Sequence, residues 1–127
     1  MTHQFQKHYT REEARALLPQ LRTWLERLEE LRAQVEKNDG RLAGMMTPGR
    51  DMGGELVNQS VRLLGEMKGL FQEFEQRGIV IKDLQRGLVD FPAIIGGREV
   101  FLCWEKDEED VEFWHDIDSG YAGREPL

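Results

Sequence analysis

Apolar positions recur at helical spacing from Ala14 onward. Ala14, Leu17, Leu21, Trp24, Leu28, Leu31 and Val35 step alternately by three and four residues, a heptad seam that Leu18 and Leu25 widen. Thr10-Arg11-Glu12-Glu13 ahead of it is a capping box, with Thr10 and Glu13 each placed to bond the other's backbone amide. Pro19 falls inside this helix and predicts a kink. Asn38-Asp39-Gly40 reads as the stop, and the glycine- and methionine-rich stretch 38–54 as a long flexible loop. A second helix is expected from Glu55 to Arg77, on Val57, Ser60, Leu64, Met67, Phe71 and Phe74, with Gly78 ending it in a left-handed conformation.

From Ile79 the period changes. Ile79–Ile81, Leu88–Ile95, Glu99–Trp104 and Val111–His115 read as strands, with Gly96-Gly97 as a two-residue hairpin turn and Lys106–Asp110 as a charged turn. Pro92 cannot donate to a ladder, so its strand should be an edge or bulged there. The pattern predicts a single α+β domain over 1–127. A long antiparallel helical hairpin (10–77) packs on a three- or four-stranded antiparallel meander (79–118), and a tail (119–127) lies on the sheet. Helices of these lengths span roughly 35–40 Å against roughly 17–27 Å for the strands, so they overhang the sheet. Their apolar seams continue into the overhang, which implies a homo-oligomer, most simply a dimer.

Charge narrows the partners. The net charge is −7, but residues 1–98 carry 15 basic against 14 acidic side chains, and residues 99–127 carry 2 against 10. Arginines interleaved with glutamates read as solvated helix faces, and the acidic C-terminal third argues against nucleic acid. No apolar run approaches the roughly 18 residues that a bilayer span needs, and the start lacks an apolar leader, so no membrane association is expected. A lone cysteine, Cys103, suits a reducing cytoplasm.

Four blocks, YTREEARALLPQL, IKDLQRGLVDFPA, GREVFLCW and VEFWHDIDSGYAGREPL, together resemble the DUF2203 family of small prokaryotic proteins, from about Tyr9 to the C-terminus apart from 38–54. LVDFP and FWH…GY.GR.P are the distinctive parts. The family has no assigned activity, so the resemblance implies kinship and a shared fold. Asp107 departs from it, standing where the family's turn favours glycine.

Chemistry concentrates near the C-terminus. In an extended strand Val111, Phe113 and His115 share one face, while Trp114 and Asp116 share the other. His115 with Asp116 and Asp90 is the candidate acid/base set. If the chain turns at Ser119-Gly120, then His115, Asp118 and Asp90 form a candidate set for a divalent metal such as Zn or Mn. The plainer reading of His115 is a buried imidazole bonded to backbone or to one aspartate. Asp90 lies in an apolar strand and requires a partner, for which Arg86, Arg98 and Arg124 are candidates. Arg124 itself reads as a structural ion pair or an anion contact. Cys103, in the most apolar strand, reads as a small core residue. Gly49–Gly54 lacks the Gly-Lys-Ser/Thr ending of a phosphate loop, which excludes that motif. The leading expectation is a non-enzymatic self-associating protein; the alternative is a small metal-dependent or acid/base enzyme, hydrolase-like, built on His115, Asp116 and Asp118.

Overall fold

The computed structural model describes residues 3–45 and 54–127. Helix α1 runs from Arg11 to Met45 and α2 from Gly54 to Gln76. The capping box forms as the sequence predicts: the Glu13 amide donates to Thr10 Oγ1 at 3.1 Å, and the Thr10 amide donates to Glu13 Oε1 at 3.0 Å. The helix continues through Pro19, and also through Asn38-Asp39-Gly40, which was expected to stop it. The heptad explains why. Leu31, Val35, Asn38 and Leu42 keep stepping by four, three and four; Asn38 is fully buried, and its Oδ1 accepts from Gln34 Nε2 at 3.1 Å. Packing on the seam outweighs the local stop signal. The expected loop is therefore helix over 38–45, and its remainder, 46–53, lies outside the described residues.

The helices run antiparallel, since Trp24 meets Phe74 and Arg27 meets Glu66. Gly78 follows at φ 69°, the left-handed conformation in which a helix closes.

The sheet has five antiparallel strands in sequential order: β1 Val80–Asp83, β2 Leu88–Ile95, β3 Arg98–Glu105, β4 Phe113–Asp116 and β5 Glu125–Pro126. The expectation of three or four strands is corrected by β5, a two-residue piece of the tail that pairs Phe113 with Pro126 and Trp114 with Glu125. Gly96 and Gly97 both take positive φ, 59° and 77°, which fits the tight turn and sets Ile95 opposite Arg98. Pro92 sits beyond the reach of β1. Its nitrogen interrupts no ladder, and its carbonyl accepts from the Tyr9 amide at 2.7 Å.

The two sheet faces differ. Val89, Phe91, Ala93, Val100, Leu102 and Trp104 face the helices and join Ala14, Leu18, Leu21, Leu25, Leu28 and Phe74 in one buried cluster. On α1 that cluster ends at Leu28. Leu31 and Leu56 are buried outside it, between the helices alone. At 35 residues, α1 is about 52 Å long, roughly twice the reach of the eight-residue strands, so the upper part of the helical pair stands clear of the sheet.

Candidate functional site

On the face away from the helices, Asp90, Cys103 and His115 project from β2, β3 and β4. Cross-strand register sets Asp90 opposite Cys103, and His115 opposite Phe101. Cys103 is small, so the longer side chains on either side of it close over the middle strand, and His115 Nε2 lies 3.0 Å from Asp90 Oδ2. The trio is almost completely enclosed, with Asp90 1%, Cys103 0% and His115 2% exposed. The donor atoms of all three lie within 4.8 Å of one another.

The cover comes from both ends of the chain. Phe5 packs edge-on against Phe101, whose ring in turn abuts His115. That N-terminal segment is held by Glu99, which accepts from the Gln4 and Phe5 amides at 2.8 and 3.0 Å and meets His8 Nε2 at 2.7 Å. From the C-terminal tail, Arg124 lies 3.9 Å from the centre of the Phe113 ring and places Nη1 3.9 Å from Cys103 Sγ.

Proton positions follow from the partners. His115 Nδ1 is 2.8 Å from the Asp116 carbonyl, which can only accept, so Nδ1 carries a hydrogen. Nε2 then faces a carboxylate oxygen, and a proton or another cation must lie between two acceptors at that distance. Among the described residues Asp90 Oδ1 is buried with no hydrogen-bond partner. Burial raises the Asp90 pKa, with His115, Lys82 and a hydrogen bond from the Cys103 thiol opposing the rise. Burial, helped by the Asp90 charge, pushes the Cys103 thiol up to about 11, so it stays protonated at neutral pH and is a poor nucleophile.

The expected sites are distributed differently. His115 and Asp90 meet. Asp116 alternates to the opposite face of the sheet, where it is exposed and pairs with Arg98 at 2.8 Å. The chain turns after β4, but Asp118 stays exposed beside Asp116, Arg98 and Glu99 around a shallow depression at the sheet's end. It does not return to His115, so neither expected three-residue set converges. Asp90 takes His115 as its partner and none of the three arginines: Arg86 binds Glu105, Arg98 binds Asp116 and Arg124 binds Glu108. Arg124 is a structural ion pair, two-pronged on the Glu108 carboxylate at 2.7 and 3.3 Å.

Two contributors were not anticipated from sequence. Cys103 joins the trio, and a signal for it existed. Once Gly96-Gly97 fixes the hairpin, counting back from Ile95–Arg98 puts Asp90 beside Cys103. The Lys106–Asp110 turn is the other. Glu108 holds Arg124 with its carboxylate, and its carbonyl accepts from Trp104 Nε1 and Arg22 Nη2 at 2.9 and 2.7 Å. Asp110 binds Arg15 through two hydrogen bonds of 2.8 Å. The acidic turn thus docks on the arginines of α1.

A family model described as "Uncharacterized conserved protein (DUF2203)" matches residues 7–127. No curated protein and no solved structure matches. The chain therefore belongs to the DUF2203 family.

Proposed function

We propose that this member of the DUF2203 family is a non-enzymatic, self-associating protein whose copies meet along α2. The observation that carries this reading is the apolar stripe on α2: Val57, Val61, Leu64 and Phe71 are 46, 63, 51 and 39% exposed and share one helix face. The inner face of the same helix already buries Leu56, Ser60 and Phe74. The exposed stripe lies directly beside that buried face, so α2 carries an apolar arc wider than its contacts within the chain cover. Gly65 and Gly69 flank the outer stripe, and a Cβ at either would meet nothing within 4 Å. Each costs the helix about 1 kcal/mol relative to alanine, with no close approach among the described residues to explain it.

A second copy is the occupant that the stripe suits. It carries Lys68 and Glu75 on the same side, so it presents one charge of each sign and does not repel itself. A self-complementary face closes as a two-fold dimer. Past Phe71 it continues into an apolar groove lined by Phe5, Ile79, Ile81 and Leu84. A helix face about 35 Å long and 10 Å wide covers roughly 350 Å², short of the roughly 800 Å² per partner of a standard interface. The groove extends it, and the expected dimer is a weak one.

No helix among the described residues is long and apolar enough to cross a membrane. The single thiol supports a reducing, cytoplasmic setting, and the acidic C-terminal third supports a protein partner over nucleic acid. The enclosure of Asp90, Cys103 and His115 supports a structural over a catalytic role. Static light scattering across a concentration series tests the reading. The apparent mass should climb from one chain to two over the micromolar range, and a single-chain mass at about 1 mM, far above any useful affinity, overturns it.

A further inference from the structure

We propose that Asp90, Cys103 and His115 form a buried binding site for a divalent transition metal, with zinc the expected ion. The site differs from both sets read from the sequence, because the sulfur ligand comes from Cys103 and Asp118 takes no part. A carboxylate oxygen, a thiol sulfur and an imidazole nitrogen, from three adjacent strands, approach within 4.8 Å of one another. Zinc bonds of about 2.0–2.3 Å give tetrahedral edges of roughly 3.3–3.7 Å, so small side-chain rotations bring all three into range. The sulfur and nitrogen select a borderline-soft ion over calcium or magnesium, which require oxygen.

Three further features point the same way. His115 Nδ1 donates to the Asp116 carbonyl, the backbone contact that holds a metal-binding imidazole in the tautomer with Nε2 free. Asp90 Oδ1, buried and with no hydrogen-bond partner among the described residues, is a spare ligand atom. Charge also balances. A dication bound by a carboxylate, a thiolate and a neutral imidazole leaves the enclosed cluster neutral overall. Arg124 Nη1, 3.9 Å from Sγ and fixed by Glu108, is placed to steady the thiolate. Among the described residues no fourth side chain joins the trio, so the fourth position of a tetrahedral zinc falls to the second Asp90 oxygen or to an enclosed water.

His3, His8 and Glu99 also cluster, but in a partly exposed position where both Glu99 oxygens are already engaged by backbone amides and His8. They serve as the control. The protein is unfolded in chelator, freed of it, and refolded with one equivalent of Co²⁺ or Zn²⁺ so that the ion can reach an enclosed site. The wild type should retain one metal per chain through gel filtration and, with cobalt, show intense thiolate-to-metal absorption beside the visible bands of tetrahedral cobalt. The chain has one cysteine, so that absorption can arise only from Cys103. Cys103→Ser should abolish it and His8→Ala should leave it intact. Refolded wild type with its native thermal midpoint, no retained zinc and no thiolate–cobalt absorption overturns the proposal. So does metal retention that His8→Ala removes. The wild-type spectrum decides even if Cys103→Ser does not fold.

Discussion

The two halves of the helical pair meet opposite circumstances. The lower half, from Ala14 to Leu28 and around Phe74, lies on a sheet that presents Phe91, Leu102 and Trp104, and apart from Phe71 and the groove beside it most of its apolar surface is covered within the chain. The upper half buries Leu31 against α2 but leaves Val57, Val61 and Leu64 open. The same 3–4 periodicity runs through both. What differs is the supply of covering elements: the strands end and the helices do not. An apolar pattern states how much surface must be covered, and topology decides whether the chain can cover it alone.

The largest expected effects lie in the closed half. Phe91→Ala or Trp104→Ala should cost about 3–5 kcal/mol by chemical denaturation, because the rigid layer around each cannot collapse into the cavity. Leu31→Ala, with only the other helix beside it, should fall near the low end of the 2–5 kcal/mol range for leucine. A cost at Leu31 equal to that at Phe91 would erase the contrast between the halves.

Next come the buried polar contacts behind the sheet. His115→Ala removes the 3.0 Å imidazole contact of the buried Asp90 carboxylate, leaves it the weak Cys103 thiol, and should cost about 3 kcal/mol. Adding Asp90→Ala to it should cost less than the two single losses together, which a double-mutant cycle measures. Deleting residues 119–127 removes β5 and the Arg124–Glu108 pair and should cost more than the roughly 0.5 kcal/mol of a frayed end. An unchanged thermal midpoint would show that the tail covers nothing.

Much of this closed half could be read from the sequence, because local signals and burial agree there. β2 matches its expected span, and β3 exceeds its own by one residue at each end. A two-residue glycine turn and alternation with period two leave one consistent register. The end of α1 is not legible, because Asn38–Gly40 states a local preference that the seam of buried Leu31 and Asn38 and half-buried Val35 and Leu42 overrides. β5 leaves no mark in the sequence because two residues hold no period, and its pairing depends on where β4 already lies. At the site, Asp90 was recognisable as a carboxylate in need of a partner. Its choice of His115 depends on the β3–β4 register, which a seven-residue connection does not disclose.

The smallest effect concerns the contact between α1 and the acidic turn. Hydrogen bonds from Arg15 hold the Asp110 carboxyl down to about 2. A depressed carboxylate stabilises the fold fully above its unfolded pKa of about 3.9, and that contribution is lost as pH falls through about 2. The pair is exposed, so solvent screens it and the effect is small. The gap in thermal midpoint between wild type and Asp110→Asn should be constant above pH 4 and close between about 4 and 2. A gap that does not change with pH would remove the ion pair from the account.

The open half is tested most directly by sedimentation equilibrium of the wild type, Val61→Glu and Gln20→Glu at matched concentrations. Val61 is the most exposed of the stripe residues, and Gln20 is exposed on α1 in the closed half. Wild type and Gln20→Glu should share one monomer–dimer equilibrium. Val61→Glu should sediment as a single chain, with an unchanged thermal midpoint under dilute conditions where all three are monomeric. A Val61→Glu protein that dimerises as the wild type does would contradict the assignment of α2 as the surface on which two copies meet.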